Sequence, residues 1–222
     1  MAVLLDPDKL SLEDIPTKIE KINTQNIDYI FVGGSVVSNG ITTPFVKRIK
    51  ELTNIPTVLF PGDFNQLSNQ ANGILYLSLL SGRNPEYLIG QHVKSIKFLK
   101  KSNLEIIPTG YILIDGGTRT STQKVSNTSP ISQLNIEEIV DTAIAGEFLG
   151  KQLIYLEAGS GAKVPVDART IKSVSETLSI PLIVGGGVRT KKQLKTAYSN
   201  GADLVVIGTA FEENNNFLNE IN

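Results

Sequence analysis

Short apolar runs alternate along the chain with longer segments in which apolar residues recur at helical spacing. The runs predict eight strands, at residues 2–5, 28–32, 57–60 and 73–79, within 104–114, and in the stretches 153–161, 181–190 and 202–209. Helices are predicted over about 12–25, from the turn containing Pro44 to about 53, and over 85–101, 135–149, 165–178, 191–199 and 211–220. Buried, near-continuous apolar runs are typical of parallel strands that helices cover.

This alternation predicts an α/β fold, a closed (β/α)8 TIM barrel formed as a single domain over residues 1–222. An open, doubly wound sheet is the main rival, and the number of strands favours the barrel. One connection is anomalous, because only the polar residues 64–72 separate the turn after the third strand from Gly73. The third barrel helix is therefore predicted to be short or missing. Within the fifth strand, Pro108 and Gly110 predict a break or a bulge.

The last three predicted strands all stop at glycines, in the sequences LIYLEAGSG, PLIVGGGVRT and ADLVVIGT. Glycine lets the backbone approach a ligand closely or adopt a positive φ. Three such turns at the same ends of neighbouring strands would direct free N–H groups at one point, which suits a phosphate. In (β/α)8 barrels a phosphate commonly binds the loops after strands 7 and 8. One glycine-rich turn could be merely a tight turn, but three in register favour a phosphate site.

The composition excludes several kinds of chemistry. A formal net charge of −1 gives no broad basic field, so nucleic acid is not expected as a partner. The absence of cysteine excludes disulfides and thiolate chemistry, and the single histidine, His92, excludes a zinc site built from several histidines. His92 lies on a predicted helix and is expected at the surface. With no apolar run of membrane-spanning length and no signal sequence, a cytoplasmic protein is expected. Met1 lies almost on the first strand, so a helix preceding this chain stays an open alternative.

Polar side chains at strand ends are the candidates for catalysis. Glu157 and Tyr155 lie two residues apart at the end of the sixth strand, so both point to the same side. A carboxylate there can accept a proton from a substrate hydroxyl, or it can be a structural partner of a nearby cation. Asp6 ends the first strand and Ser35 follows the second, and their oxygens suit Mg²⁺. The alternative is that Asp6 only shapes a turn.

A polar loop of about 17 residues, 115–131, is expected after the fifth strand. Loops of this length without regular structure are usually functional or disordered. Arg119 and Lys124 in this loop are candidates for binding a diphosphate. The alternative is an ordinary solvated loop.

Six motifs together resemble the geranylgeranylglyceryl phosphate synthase family, which also includes bacterial heptaprenylglyceryl phosphate synthases. They are LLDPDK (4–9), VGGS (32–35), GYILIDGGTRTSTQKVSNT (110–128), YLEAGSG (155–161), VGGGVR (184–189) and IGTAFE (207–212). The resemblance spans nearly the whole chain, and the stretch within 110–128 is similar to the second of the family's two sequence groups. It implies Mg²⁺-dependent transfer of a geranylgeranyl or similar polyprenyl group from its diphosphate to the C3 hydroxyl of sn-glycerol 1-phosphate.

The resemblance also implies roles for individual residues. Glu157 matches the proposed base, with Tyr155 beside it, and Asp6 and Ser35 match the Mg²⁺ positions. The family carries lysine where Leu4 stands here, which removes a diphosphate contact at that position. The positions implied to bind sn-glycerol 1-phosphate are Tyr155, Leu156, Glu157, Ala158, Gly159, Ser160, Gly161, Gly186, Gly187, Gly208 and Thr209.

The family further implies a homo-oligomer, either a dimer or a hexamer of dimers, and a lipid product that brings transient membrane contact. An apolar groove for the prenyl tail is expected near Leu75, Tyr76 and Leu77, beside the missing helix. Two alternatives stay open. One is another phosphate-binding barrel enzyme, such as a sugar-phosphate isomerase or aldolase, which would lack this groove. The other is a non-catalytic module that binds phosphate or lipid.

Overall fold

The computed structural model describes residues 1–214 and 217–218. Its centre is a closed barrel of parallel strands in sequential order, in which the last strand pairs with the first. The strands are β1 (Ala2–Leu5), β2 (Tyr29–Val32), β3 (Thr57–Leu59), β4 (Gly73–Leu79), β5 (Glu105–Leu113), β6 (Leu153–Glu157), β7 (Leu182–Gly185) and β8 (Leu204–Ile207). The predicted TIM barrel is confirmed, and closure between β8 and β1 excludes the open sheet.

Helices cover most of the barrel, and none in the described residues is long and apolar enough to cross a membrane. They are α1 (Ile15–Asn23), α2 (Thr42–Lys50), α3 (Gln91–Leu99), α4 (Ser121–Ser126), α5 (Ile136–Phe148), α6 (Ala168–Ser175), α7 (Lys191–Ser199) and α8 (Thr209–Glu213). A π-helical turn, Glu86–Gly90, leads directly into α3. The helix predicted over 211–220 begins two residues earlier, and its positions 215, 216, 219 and 220 lie outside the described residues.

Side chains of the strands pack in two layers because alternate residues point to opposite sides of the sheet. An outer layer lies between the barrel and its helices, and Leu156 and Val184 belong to it. The inner layer fills the barrel with Ala2, Phe31, Val58, Leu75, Leu79, Tyr111, Leu113, Tyr155, Ile183 and Val206. Burial on both faces explains why the strands are almost continuously apolar in sequence.

The wall of the barrel is open between β3 and β4. Residues 60–72 connect these strands through turns and contain no helix. The prediction of a missing third helix is therefore confirmed. The gap exposes β4 and one side of α3 to a cleft that is described below.

The prediction of a break in β5 is wrong. β5 pairs with β4 in unbroken register from Glu105 to Tyr111, through both Pro108 and Gly110. Pro108 still accepts a hydrogen bond, from the N–H of Gln152. Gly110 is needed for close packing, since a Cβ there would lie 2.6 Å from Ile154 Cδ1.

The prediction of a 17-residue loop without regular structure is also wrong, because α4 forms within it. Thr120 Oγ1 accepts from the N–H of Gln123 at 3.2 Å, and Gln123 Oε1 accepts from the N–H of Thr120 at 2.6 Å. This reciprocal capping box satisfies backbone donors that would otherwise have no partner at the helix start. Asn127 ends the helix with φ 50°.

Candidate functional site

A cavity lies at the carboxyl ends of the strands, with an empty volume of about 980 Å³. We call it the mouth cavity. It contains most of the residues predicted from sequence, which come from the ends of β1, β2, β6, β7 and β8: Asp6, Ser35, Tyr155, Glu157, Gly159, Ser160, Gly161, Gly186, Gly187, Gly208 and Thr209.

The Glu157 carboxylate is buried in the mouth cavity, with 6% of the residue exposed. The N–H of Gly159 donates to Glu157 Oε1 at 2.6 Å. Gly185 and Gly186 lie against the carboxylate so closely that a Cβ on either would overlap its oxygens. Burial raises the pKa of Glu157 to about 7, against the opposing effects of the Gly159 N–H and the Tyr155 hydroxyl. Near neutral pH the side chain can therefore take up or release a proton, as a general base requires.

Tyr155 lies next to Glu157 inside the barrel, as the alternation of the strand predicted. Its hydroxyl is fully buried beside the carboxylate of Glu157, whose charged form it stabilises. Burial, and secondly the charge of Glu157, raises the pKa of Tyr155 well above its usual value. The side chain is thus a neutral phenol beside Glu157, and its hydroxyl can turn to an oxygen of a bound ligand.

Three aromatic rings form the floor of the mouth cavity. The ring of Tyr155 stacks on Phe60 with centroids 5.3 Å apart, and it meets Tyr111 edge to face at 5.5 Å. Phe60 begins the open connection after β3, and Tyr111 stands on β5. Neither was among the predicted site residues, because only the closed barrel brings β3, β5 and β6 to one point.

Glycine turns form one wall of the mouth cavity, as the sequence predicted. Gly159, Gly161, Gly186 and Gly187 all have positive φ, between 71° and 102°. Gly187 also packs against a neighbouring loop, because a Cβ there would lie 2.8 Å from backbone atoms of residues 164 and 165. Positive φ favours glycine at all four positions, and close contact adds to this at Gly159, Gly186 and Gly187.

Two of the backbone donors in this wall already have partners, so the prediction of free N–H groups is wrong for them. The N–H of Gly159 serves Glu157. The N–H of Gly161 donates to Thr209 Oγ1 at 3.3 Å, and the hydroxyl of Ser160 lies at the same distance from that atom. These contacts fasten the turn after β6 to the start of α8. Ser160 and Thr209 therefore supply hydroxyl groups to the wall.

Asp6 and Ser35 both line the mouth cavity, where they follow β1 and β2. Asp6 Oδ1 accepts from the N–H of Asp8 at 3.0 Å, and Lys9 Nζ lies 3.7 Å from Asp6 Oδ2. Burial raises the pKa of Asp6, opposed by the Asp8 N–H and by Lys9. Ser35 Oγ is hydrogen-bonded to Thr122 Oγ1 at 3.0 Å, which ties β2 to α4.

Four predicted residues lie outside the mouth cavity. Leu156 and Ala158 pack in the outer core layer, since they alternate with Tyr155 and Glu157. Arg119 and Lys124 are exposed around α4 and line neither this cavity nor the cleft beside it. α4 turns Thr122 towards Ser35, and Lys124 lies on its exposed side.

Two cations that were not predicted line the mouth cavity instead. Lys9 pairs with Glu212 at 3.0 Å, and Arg189 pairs with Glu213 at 2.8 Å. Lys9 stands in the motif LLDPDK after β1, and Arg189 stands in VGGGVR after β7. Their position close to strand ends is the sequence signal that could have placed them in the cavity. They bring positive charge beside Asp6 and the glycine wall.

A second space, the side cleft, occupies the gap left by the missing helix, with an empty volume of about 780 Å³. Its walls are mainly apolar and include Leu75, Tyr76 and Leu77, as predicted for the apolar groove. Its boundary with the mouth cavity is shared by Gly34, Ser35, Phe60, Tyr111 and Thr122. The two spaces therefore meet above the aromatic floor.

The prediction that His92 lies at the surface is wrong. His92 is buried against β4, with its ring 4.2 Å from the ring of Tyr76, and it lines the side cleft. Neither ring nitrogen has a hydrogen-bond partner in the described residues. Burial lowers the pKa of His92, with the charge of Lys151 as the next cause, so the ring stays neutral at neutral pH.

Glycine turns around a buried carboxylate at the strand ends are typical of (β/α)8-barrel enzymes that bind a phosphorylated substrate. The apolar side cleft adds room for a hydrophobic group. The chain belongs to the PcrB family, whose model matches residues 1–222. The family resemblance of the sequence motifs is thereby confirmed.

Individual relatives agree with this assignment. The chain is similar to a geranylgeranylglyceryl phosphate synthase of Zunongwangia profunda, at 55% identity over 96% of this chain and 90% of the relative. It is similar in structure to wild-type GGGPS from Thermoplasma volcanium, with TM-score 0.91 and 34% identity over 99% of this chain and 88% of that one. The (S)-3-O-geranylgeranylglyceryl phosphate synthase of Thermoplasma acidophilum, solved with sn-glycerol-1-phosphate, gives TM-score 0.93 and 30% identity over 99% and 89%.

Proposed function

We propose that this chain is a Mg²⁺-dependent prenyltransferase that moves a geranylgeranyl or similar polyprenyl group from its diphosphate to the C3 hydroxyl of sn-glycerol 1-phosphate. One observation carries the proposal. The buried carboxylate of Glu157 stands beside the aromatic floor on which the glycine-walled mouth cavity and the apolar side cleft meet. A polar acceptor and an apolar donor bound in these two spaces would meet next to a base.

The glycine wall and the hydroxyls of Ser160 and Thr209 would hold the acceptor phosphate, with the glycerol carbons directed at Glu157. The relative solved with sn-glycerol-1-phosphate supports this acceptor. The phenol of Tyr155, which lies beside the Glu157 carboxylate, would hold an acceptor oxygen. Fixing the hydroxyl in line with the donor carbon supplies much of the rate enhancement in bimolecular transfers.

In the reaction the bond between C1 of the prenyl group and the diphosphate oxygen breaks. The C3 hydroxyl oxygen forms the new ether bond to C1, its proton passes to the carboxylate of Glu157, and diphosphate leaves. A pKa of about 7 suits Glu157 to accept this proton and later release it to water. Burial of the reacting groups keeps water away from the allylic carbon.

Asp6 and Ser35 would hold the Mg²⁺. The described residues contain no cluster of three or more histidine or carboxylate side chains that could hold a metal on their own. A single carboxylate with a nearby hydroxyl nevertheless fits Mg²⁺, which usually takes one or two protein oxygens together with substrate phosphates. Bound there, the cation would neutralise charge on the departing diphosphate. Lys9 stands beside Asp6 and can add to this effect.

The alternatives have less support. A sugar-phosphate isomerase or aldolase would not need the apolar side cleft, and a non-catalytic module would not need a buried carboxylate with a raised pKa. Homo-oligomerisation, as a dimer or a hexamer, and a cytoplasmic location stay predictions.

The test is incubation of the chain with sn-glycerol 1-phosphate and labelled prenyl diphosphates of several chain lengths. We expect a prenyl glyceryl phosphate that forms with Mg²⁺ and not with a chelator. sn-Glycerol 3-phosphate is the matched control, and it should react at least tenfold more slowly because its hydroxyl would be misdirected. No ether product with any prenyl length would overturn the proposal.

A further inference from the structure

The outward side of α3 and of the π-helical turn before it exposes apolar side chains. Ile89, Val93 and Ile96 are 58%, 67% and 38% exposed. They are spaced four and three residues apart, so they form a stripe along one side of the helix. Phe98 is exposed as well. Such a stripe is unusual on a helix that packs its other side, through His92, Ser95 and Leu99, against the barrel.

Basic residues accompany this stripe. Lys94, Lys97, Lys100 and Lys101 are all exposed. Lys94 pairs with Glu86 and lies 5.6 Å from the centre of the Phe64 ring. Among the described residues, the other three lysines form no ion pair, so their charge is available to a partner. We call these side chains, from Ile89 to Lys101, the α3 face.

The α3 face continues into the side cleft. A surface groove borders it on the side of Phe98, away from the stripe of Ile89, Val93 and Ile96, and is lined by Phe64, Leu67, Lys97, Phe98 and Lys101. Phe64, Leu67 and Ser95 line both this groove and the side cleft. The continuity exists because the third barrel helix, which would separate them, is missing.

We propose that the α3 face docks on an anionic lipid bilayer. Apolar side chains next to several lysines are the composition of helices that lie in the bilayer interface, where lysines meet anionic headgroups. A second copy of the chain fits less well, since a twofold interface would bring the two lysine groups against each other. The docking does not depend on the proposed reaction. The purpose of docking does rest on the proposed prenyl transfer, because a prenyl chain could pass from the bilayer into the side cleft without crossing water.

The first test measures sedimentation of the whole chain with vesicles of phosphatidylcholine, with or without about one third phosphatidylglycerol. We expect binding only to the anionic vesicles. The double substitution Lys97→Glu with Lys101→Glu should lower the bound fraction by on the order of tenfold. The matched control reverses Lys192 and Lys195, which are exposed on α7 away from this face, and it should stay within about twofold of wild type. Equal losses in the two variants would overturn the proposal.

The second test probes the apolar stripe. Val93→Ser should weaken binding to anionic vesicles several-fold, whereas Val164→Ser, at a position 48% exposed near the mouth cavity, should not. Light scattering of both variants tests the alternative that a second copy of the chain covers the α3 face. If Val93→Ser lowers the oligomeric mass and leaves vesicle binding unchanged, the α3 face is a contact between copies, and docking on lipid is wrong.

Turnover separates this inference from the proposed function. With a short prenyl diphosphate dissolved in water, the Lys97→Glu, Lys101→Glu variant should react like wild type. With a long prenyl diphosphate embedded in anionic vesicles, it should react several-fold more slowly. If wild type binds vesicles but transfers no prenyl group, docking stands and the proposed reaction falls. If the variant transfers the prenyl group as fast as wild type under both conditions, the reaction stands and delivery of the prenyl chain through docking is wrong.

Discussion

Glu157 is the residue on which the proposed chemistry depends, and its burial sets its protonation. Glu157→Gln keeps the shape but cannot accept a proton. We expect kcat to fall on the order of 10²-fold or more, while binding of sn-glycerol 1-phosphate is largely kept. Because burial raises the pKa of Glu157 to about 7, kcat/KM of the wild type should fall as pH drops below about 7.

Steady-state kinetics across pH and calorimetric titration of the acceptor check this prediction. Glu20→Gln, at an exposed position on α1, is the control and should behave like wild type. Near-normal turnover in Glu157→Gln, or an unchanged pH profile, would remove Glu157 from the role of base.

The same burial makes Glu157 costly to the stability of the fold. The carboxyl ionises near 4.5 when exposed and only near 7 when folded. The contribution of Glu157 to the free energy of unfolding is therefore greatest below about pH 4.5. It falls by up to about 3 kcal/mol as the pH rises to about 7. Glu157→Gln does not titrate. Its free energy of unfolding should gain on the wild type by up to that amount between about pH 5 and pH 8, as urea unfolding would measure. A difference that does not vary with pH would contradict the buried carboxylate.

Gly187 tests the glycine wall. Its φ is 71°, and Gly150 at the end of α5 has a similar φ of 82° with open space around it. Alanine at either position should cost roughly 1–2 kcal/mol of strain. Only Gly187→Ala should also displace residues 164 and 165 and weaken sn-glycerol 1-phosphate binding, on the order of tenfold. Separate calorimetric titrations should show prenyl diphosphate binding little changed. Unchanged acceptor affinity in folded Gly187→Ala would exclude the wall as the phosphate site.

Among the secondary-structure elements, α4 links the two spaces. Its Thr122 is hydrogen-bonded to Ser35, and Val125 lines the side cleft. Thr120→Ala removes the cap and should destabilise α4 by about 0.5–2 kcal/mol. We expect faster amide exchange over 120–127 and a several-fold higher KM for the prenyl diphosphate. Thr120→Ser keeps the capping hydroxyl and should restore both. If serine is as harmful as alanine, the contact of the Thr120 methyl group with Gly159 matters more than the cap.

The strands could be predicted from sequence because each is a buried apolar run bounded by glycine, proline or charge. α7 was predicted at its observed bounds, since its apolar spacing and the following Gly201 mark it clearly. α4 was missed because five of its six residues are polar and Val125 alone shows no apolar period. The signal that could have found it is the capping box of Thr120 and Gln123.

The sequence predicted which residues meet in the mouth cavity where those residues end strands, and it did not where they stand in loops. Asp6, Ser35 and Glu157 follow from strand register alone, because parallel strands end at one edge. Arg119 and Lys124 lie outside the mouth cavity, and Lys9 and Arg189, which were not predicted, line it, because the path of a loop determines which cations turn inward. A diphosphate contact from Arg119 and Lys124 stays a prediction. His92 was misplaced because the packing of α3 on β4 depends on distant parts of the chain.

At the scale of the whole molecule, the missing third helix has the largest effect. The gap gives the barrel its apolar side cleft, and that cleft opens on the glycine-walled mouth cavity beside Glu157. A barrel with all its helices would keep the phosphate site but would have no space for a long apolar substrate. The absence of one element thus separates the proposed reaction from those of sugar-phosphate enzymes with the same fold.

The most direct test of the proposed reaction follows the oxygen of the acceptor. sn-Glycerol 1-phosphate carrying oxygen-18 in its C3 hydroxyl is incubated with geranylgeranyl diphosphate, Mg²⁺ and the chain, and the products are analysed by mass spectrometry. Attack by the hydroxyl on C1 predicts that the ether product retains the label and that the released diphosphate contains none. Label in the diphosphate, or formation of free prenyl alcohol with no ether, would contradict prenyl transfer at Glu157.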